Sequence, residues 1–160
     1  MKELKVRCGG FAEVEQKLRG MKAQKVGEGK ERAAYFDTEG RGGLKIVQEE
    51  QGARMGLAAY NEENGCFDII SSDVGDPDGA RRIFNKLFSS VGQVVLEKKV
   101  YKLGNIEVWL AHIDQLGNFV LIHGEKEEEL HELAGSLGFE PDKIVKENFA
   151  EMLFRAGKKL

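Results

Sequence analysis

Three apolar segments joined by very short turns dominate the second half of the chain: QVVLEKKVYKL (93–103), NIEVWLAHI (105–113) and GNFVLIHGE (117–125). Aliphatic and aromatic residues typical of strands are common in all three. Turns of a few residues, here containing glycine, can join only antiparallel neighbours, because a parallel crossover needs roughly a dozen residues or more. The run therefore predicts an antiparallel meander of three strands.

The first half of the chain predicts five more strands. In the opening segment ELKVRC (3–8), charged and apolar residues alternate, and this period of two is typical of a strand with one polar face. Similar segments predict strands over 44–50, 53–60 and 66–74, and a strand that ends at AYFD within residues 24–38. The pieces GEGKER and GRGGLK fit neither a phosphate-binding loop nor a dinucleotide fingerprint, and they are interpreted as turn glycines.

Helical spacing of apolar residues predicts helices over 11–22, 76–92 and 126–137, with more helix in the closing segment 141–157. Asp76 is the expected N-cap of the second helix, with Pro77 at its first position, and Gly138 is the expected stop of the third. The buried stripe of the second helix is expected to consist of Ile83, Phe84, Leu87, Phe88 and Val91. Residues 1–160 thus predict one α+β domain with about eight short antiparallel strands, a number that can close a barrel.

Composition excludes several classes of function. The net charge of −3 argues against a nucleic-acid binder that relies on broad phosphate attraction. No apolar run approaches the roughly 20 residues of a membrane span, and the charged N-terminus does not fit a signal peptide. Cys8 and Cys66 lie far apart and form no metal-type pair. A cytoplasmic protein with no membrane and no nucleic-acid partner is therefore expected.

The three histidines form no metal signature. His131 is expected on the solvated face of an acidic helix. If the turn at 114–117 pairs Ala111 with Leu121, His123 shares a face with Leu121, and His112 points to the other side, because successive strand residues alternate. A two-histidine site across this hairpin is therefore not expected.

Charged residues alternate with apolar ones on several predicted strands. Glu3, Lys5 and Arg7 share one face of the first strand, and the third strand places Lys45 with Glu49 in the same way. The pattern fits a barrel whose strands have one buried and one polar face. Solvated sheet surfaces would give the same alternation, so the residues alone leave both interpretations open.

The order of these elements resembles the CYTH domain superfamily, which includes class IV adenylate cyclases and thiamine triphosphatases. The similarity covers nearly the whole chain, and its parts are the ELKVRC strand, the helix FAEVEQKLRGMKA, the segment RAAYFDTEGRGGLKI, the block VVLEKKVYKLGNIEVWLAHIDQLGNFVLI, an acidic helix and the closing IVKENFAEML. The resemblance implies an eight-stranded antiparallel barrel, or tunnel, with helices packed outside. It also implies that Lys and Arg bind a triphosphate inside while carboxylates hold two divalent cations, Mg²⁺ or Mn²⁺.

Position by position, the implied site is incomplete. Glu3 and Lys5 fit the second acid and the lysine of the opening Glu-x-Glu-x-Lys pattern, whereas Met1 stands at the first acid. Uncharged residues or histidine stand at further positions where the resemblance implies charge: Val47, Leu96, Ala111, Leu121 and His123. Two divalent ions and a polyphosphate need several carboxylates, so metal catalysis would require Glu49 or Glu107 as substitutes, or ligands from a second chain.

Three hypotheses follow. The first is a CYTH-fold protein with a degenerate site that binds a small, less charged anionic or phosphorylated ligand in its tunnel. The second is an active cyclase or triphosphatase with a rearranged Mg²⁺ or Mn²⁺ site. The third is an interaction domain with a filled tunnel, for example a homodimer. The residues expected to bind a ligand are Lys5, Arg7, Lys45, Lys98, Trp109 and His123, with Glu3 as the remaining metal ligand.

Overall fold

The structure is a computed structural model that describes residues 1–158. Its strands are β1 (Lys2–Cys8), β2 (Gln24–Asp37), β3 (Gly43–Glu49), β4 (Gly52–Asn61), β5 (Cys66–Val74), β6 (Ser89–Leu103), β7 (Ile106–Ile113) and β8 (Gly117–Gly124). The α-helices are α1 (Ala12–Gly20), α2 (Pro77–Leu87), α3 (Glu127–Ser136) and α4 (Phe149–Lys158). A single 3₁₀ turn over Pro141–Lys143 precedes α4.

The strands close into one barrel in the order β1-β5-β4-β3-β2-β6-β7-β8, and each strand pairs antiparallel with its neighbours. The predicted eight-stranded antiparallel barrel with helices outside, and hence the α+β class, is confirmed. A barrel of eight strands has an interior just wide enough to be filled by side chains or to hold one small ligand. The side chains that line this interior therefore decide whether the barrel has room for a ligand.

The meander has a register that differs from the predicted one. Trp109 pairs with Leu121 and Ala111 with Phe119, so the predicted pairing of Ala111 with Leu121 is wrong by two residues. An even shift leaves every side chain on its expected face, because strand residues alternate with a period of two. His123 therefore lines the barrel interior as expected.

A first apolar core lies between the barrel wall and the helices α1 and α3. Outward-facing strand residues such as Leu4 and Val120 pack there against Leu18 and Leu130, and all four side chains are fully buried. Gly138 ends α3 with a φ of +91°, which confirms it as the predicted stop, because such a backbone angle favours glycine.

A second apolar core fills one end of the barrel interior, and α4 closes that end. Phe119 is fully buried, and its ring lies 5.1 Å from that of Phe149 at the start of α4. Asn148 caps the N-terminus of this helix, because its Oδ1 accepts from the Glu151 backbone N–H at 2.8 Å. The Glu151 carboxylate accepts in return from the Asn148 backbone N–H. This reciprocal cap fixes the direction in which α4 enters the barrel end.

Two helix predictions need correction. The helix predicted over 76–92 ends at Leu87, because Phe88 is extended (φ −136°, ψ 156°) and Ser89 begins β6. Its predicted buried stripe is also wrong, since Ile83 is 60% and Leu87 67% exposed. Phe84 is half-buried, and the centre of its ring lies 5.3 Å from that of Phe36 on β2. Asp76 does cap this helix, accepting from the Gly79 N–H at 2.9 Å.

The closing segment is less helical than predicted. Helix occupies only Phe149–Lys158, because Ile144 forms a bridge with Val6 of β1 and Val145 donates to the Lys5 carbonyl at 2.8 Å.

None of the helices in residues 1–158 has the length and the apolar character that a membrane span requires.

We expect Phe119→Ala to lower the free energy of unfolding by about 3–5 kcal/mol, because it removes a fully buried ring and leaves a cavity. The matched control Leu87→Ala removes an exposed side chain and should change this free energy by less than about 0.5 kcal/mol. Urea unfolding followed by circular dichroism measures both. Equal effects of the two substitutions would contradict the assignment of the interior core.

Candidate functional site

A cavity of about 250 Å³ occupies the part of the barrel interior that α4 does not fill. Six of the residues expected from the sequence to bind a ligand or metal line it, from five different strands: Glu3, Lys5, Lys45, Lys98, Trp109 and His123. The structure thus brings together residues up to 120 positions apart, such as Glu3 and His123. Their roles as ligands stay predictions.

Arg7, the seventh expected residue, lies outside this cavity. Its Nη1 donates to the Leu116 carbonyl at 2.6 Å, and its guanidinium lies 4.7 Å from the centre of the Phe119 ring. It therefore belongs to the filled end of the barrel.

Larger clefts of about 380 and 470 Å³ lie elsewhere, one beside Phe11 and His112 and one beside Arg41 and Phe154. The interior cavity is the better candidate site because buried charged side chains converge on it from several strands.

Four charged residues of the cavity form a closed network, here called the ion-pair ring. Glu31 contacts Lys98 at 2.7 Å and Arg54 at 2.9 Å, and Glu49 contacts the same two residues at 2.8 and 3.2 Å. Each carboxylate of the ring therefore meets both cations. Burial opposes ionisation of Glu31, yet the adjoining Glu49 carboxyl, Arg54 and Lys98 hold its pKa well below the usual range.

Trp109 connects the ion-pair ring to the next acid. The Lys98 ammonium lies 3.9 Å from the centre of its ring, in a cation–π contact. The indole N–H donates to Glu107 Oε1 at 3.0 Å, and the ring meets His123 edge-on with centroids 4.7 Å apart.

Glu3 and His123 form a second polar pair, with Glu3 Oε2 and His123 Nε2 at 2.8 Å. Burial alone would raise the pKa of Glu3, but the hydrogen bond with His123 and the charge of Lys5 lower it to about 2. Among the described residues, no group of three or more His, Cys, Asp or Glu side chains is placed to hold a metal ion.

Lys5 fixes the segment that leads into α4. Its ammonium lies 3.9 Å from Glu3 and donates to the Glu147 carbonyl at 3.1 Å, between the rings of Phe149 (3.9 Å) and Phe67 (4.5 Å). Burial lowers the pKa of this ammonium to about 8. Lys5 is therefore committed to contacts within the protein.

Lys45 and Tyr35 differ from the other polar residues of the cavity. They are direct partners on β3 and β2, with the Lys45 ammonium 6.0 Å from the centre of the Tyr35 ring. Tyr35 is only 4% exposed. Across the described side chains and backbone, neither the ammonium nor the phenol has a hydrogen bond or ion-pair partner. Burial lowers the pKa of Lys45 and raises that of Tyr35.

Sequence reasoning missed Glu31, Arg54 and Tyr35. Glu31 lies in GEGKER, which was interpreted as a turn, although Gly27 and Gly29 are inside β2. The usable signal was alternation, because Glu31 shares its face with Tyr35 of the same strand. Nothing local indicated that Arg54 would meet Glu31, since the two strands are separated by β3.

The remaining histidines lie outside the cavity. His112 contacts Asn118 at 2.6 Å on the other face of the hairpin, as alternation predicted. His131 was expected to be solvated but is half-buried, with its Nε2 2.8 Å from the Asn64 carbonyl and 3.7 Å from Cys66 Sγ. Because burial raises the pKa of Cys66 to about 11, this pair does not supply a reactive thiolate.

Solved structures show where this fold occurs. The chain matches the PH1012 protein of Pyrococcus horikoshii with a TM-score of 0.81 and 23% identity, over 94% of this chain and 98% of that one. A candidate adenylate cyclase of Vibrio parahaemolyticus matches with a TM-score of 0.74 and 13% identity, over 95% of this chain and 97% of that one. HpAC1 of Hippeastrum, a candidate adenylyl cyclase with a dominant triphosphatase activity, matches with a TM-score of 0.67 and 13% identity, over 98% of this chain and 95% of that one. These matches confirm the predicted fold of the chain.

No protein-family model and no curated protein matches the chain.

We expect acid to remove the stabilisation that Glu3 supplies. The pKa of Glu3 is lowered from 4.5 to about 2 on folding, so its contribution is complete above pH 4.5 and is lost as the pH falls towards 2. Glu3→Gln should therefore flatten the fall in unfolding free energy between these pH values by an amount on the order of 3 kcal/mol. Chemical unfolding at a series of pH values measures this. The exposed Glu13→Gln serves as control, and identical pH profiles for the two variants would refute the expectation.

Breaking the ion-pair ring should cost more than removing an exposed pair. Glu31→Gln leaves Arg54 and Lys98 with one carboxylate between them, so we expect a loss of about 3–5 kcal/mol in unfolding free energy. A double substitution that adds Lys98→Met should recover part of that loss. Glu28→Gln, which removes an exposed partner of Lys25, should leave the unfolding free energy nearly unchanged, because solvent screens exposed ion pairs. Additive effects of the first two substitutions would argue against a coupled ring.

Proposed function

We propose that this protein binds a small organic molecule with a single anionic group in the barrel cavity and does so without divalent metal. The observation that carries the proposal is the pair Lys45 and Tyr35, whose donors have no hydrogen bond or ion pair among the described residues. Both residues line the cavity, so the phenol and the ammonium are open to an acceptor that enters it, such as an anionic ligand.

The cavity supplies what such a ligand needs. The Lys45 ammonium and the Tyr35 hydroxyl can both donate to oxygen atoms of one phosphate or carboxylate. Apolar walls for the remainder of the molecule come from Leu96, Trp109 and Leu121. At about 250 Å³ the cavity lies just below the roughly 300–1,000 Å³ of sites for drug-sized ligands, which favours a smaller molecule.

The charge balance of the cavity disfavours a triphosphate. Four carboxylates and four cations line it: Glu3, Glu31, Glu49 and Glu107 with Lys5, Lys45, Arg54 and Lys98. Arg54 and Lys98 are already engaged by carboxylates in the ion-pair ring. A triphosphate bound to these cations would have to displace or face the same carboxylates, and like charges in a poorly solvated cavity repel strongly.

The carboxylates do not fit the two divalent cations that the fold implies. Glu3 is bound to His123, and Glu31 and Glu49 are bound to cations, which leaves Glu107. Mg²⁺ and Mn²⁺ need several oxygen ligands around one position. No catalytic step through a metal is therefore assigned.

A metal-dependent triphosphatase or cyclase is the competing function. It is favoured by the four carboxylates in the cavity and by the likeness in fold to HpAC1, which has a dominant triphosphatase activity. It would require the ion-pair ring to open and release its carboxylates.

A thermal-shift panel separates the two functions. We expect propyl phosphate to raise the melting temperature equally with Mg²⁺ and with EDTA, and tripolyphosphate or nucleoside triphosphates to raise it less. Lys45→Met should abolish the rise because it removes the ammonium group while it keeps most of the length of the side chain. The control Lys30→Met alters a lysine that is 70% exposed and outside the cavity, and it should retain the full rise.

Turnover of a triphosphate with Mg²⁺ or Mn²⁺, measured as released phosphate or cyclic product, would overturn the proposal in favour of the competing function. So would a melting-temperature rise that needs metal or survives Lys45→Met.

A further inference from the structure

Glu107 is the negative counterpart of Lys45. It lines the cavity from β7, and one of its oxygens accepts from the Trp109 N–H at 3.0 Å. In the part of the chain that the structure describes, no cation lies within ion-pair distance of this carboxylate. Lys102 is its direct partner in register on β6, yet it is exposed and makes no ion pair with it.

The other three cavity carboxylates each have cationic or histidine partners. Glu31 and Glu49 are held in the ion-pair ring, and Glu3 is bound to His123. Of the four cavity cations, Lys45 is likewise the one with no hydrogen bond or ion pair among the described residues. The cavity thus presents one unpaired cation and one unpaired anion.

These two groups line the same cavity from different walls of the barrel. Lys45 is on β3 and Glu107 on β7, and in the strand order two strands, β2 and β6, separate them on one side. On the other side the wall consists of β4, β5, β1 and β8. A ligand in the cavity can therefore meet the two groups on different sides.

We infer that the ligand is a zwitterion, a small molecule whose anionic group binds Lys45 and Tyr35 and whose ammonium group binds Glu107. The inference rests on the proposed function and specifies the ligand class of the same site. A ligand with an anion alone would neutralise Lys45 and leave the cavity with one excess carboxylate. A zwitterion neutralises both groups and leaves the cavity uncharged.

Trp109 orients the acid for this role. Its indole N–H engages Glu107 Oε1, which leaves Oε2 to accept from a ligand ammonium. The rest of the ligand would lie along the apolar wall that includes Leu121, the strand partner of Trp109.

Matched ligand pairs test the inference by calorimetry. 2-Aminoethyl phosphate and propyl phosphate have the same size and differ by an ammonium in place of a methyl group. β-Alanine and butyrate make the same comparison for a carboxylate, so the pair that binds more tightly identifies the anionic group. We expect the zwitterion of the better pair to bind about tenfold more tightly than its uncharged-end analogue, as for a charge-assisted hydrogen bond.

Glu107→Gln is the informative variant because glutamine still accepts from the Trp109 N–H. It should reduce the zwitterion's affinity to that of the analogue, while the affinity of the analogue does not fall. Glu97→Gln removes an acid that is 58% exposed and faces Lys30 outside the cavity, and it should leave both affinities unchanged. Thermal unfolding without ligand verifies that the variants fold.

The outcomes separate this inference from the proposal on which it rests. If the anionic analogue binds through Lys45 but the zwitterion gains nothing, or gains equally in Glu107→Gln, the zwitterion is overturned and the anion site stands. If none of the four probes binds the native chain or the Lys45→Met variant, the zwitterion inference and the proposed anion site are both overturned.

Discussion

Every second residue of eight closed strands points into one shared interior, whether or not its side chain is apolar. In this chain that constraint brings four carboxylates and four cations into the same small space. Charges removed from water must be paired or they destabilise the fold by several kcal/mol. The ion-pair ring, the Glu3–His123 pair and the contacts of Lys5 satisfy most of them within the protein. The groups left over, Lys45, Tyr35 and Glu107, are the ones that the proposed ligand would bind.

The two ends of the barrel interior differ, because one is filled by apolar side chains and the other holds a polar cavity. At one end Phe119, Phe149 and their neighbours form a dry core under α4. At the other, charged residues surround the open cavity. Lys5 stands at the boundary, with its stem in β1, its ammonium between two rings, and its backbone carbonyl bonded to the segment before α4. Any ligand in the cavity is therefore close to the residues that keep the barrel end closed.

The residue patterns predicted the order of the elements, and the family resemblance implied the closed barrel and the charged residues in its interior. These predictions tolerate error, since the hairpin register was wrong by two residues and His123 still faced inward. Partnerships between distant strands could not be predicted. The meeting of Glu31 with Arg54 depends on barrel closure and on a glycine-containing stretch being strand rather than turn. The exposure of Ile83 and Leu87 also escaped prediction, because helical periodicity shows that a face is apolar but not that something covers it.

The ion-pair ring joins β4, β3, β2 and β6, which are four consecutive strands of the barrel. If one of these strands slipped by a single residue, its charge would leave the interior, and a slip of two would carry it past its partners. Either error would leave the opposing charges in the interior without counterions. The ring therefore discriminates against misaligned barrels during folding, and its four positions are expected to tolerate change only in concert, as one electrostatic unit.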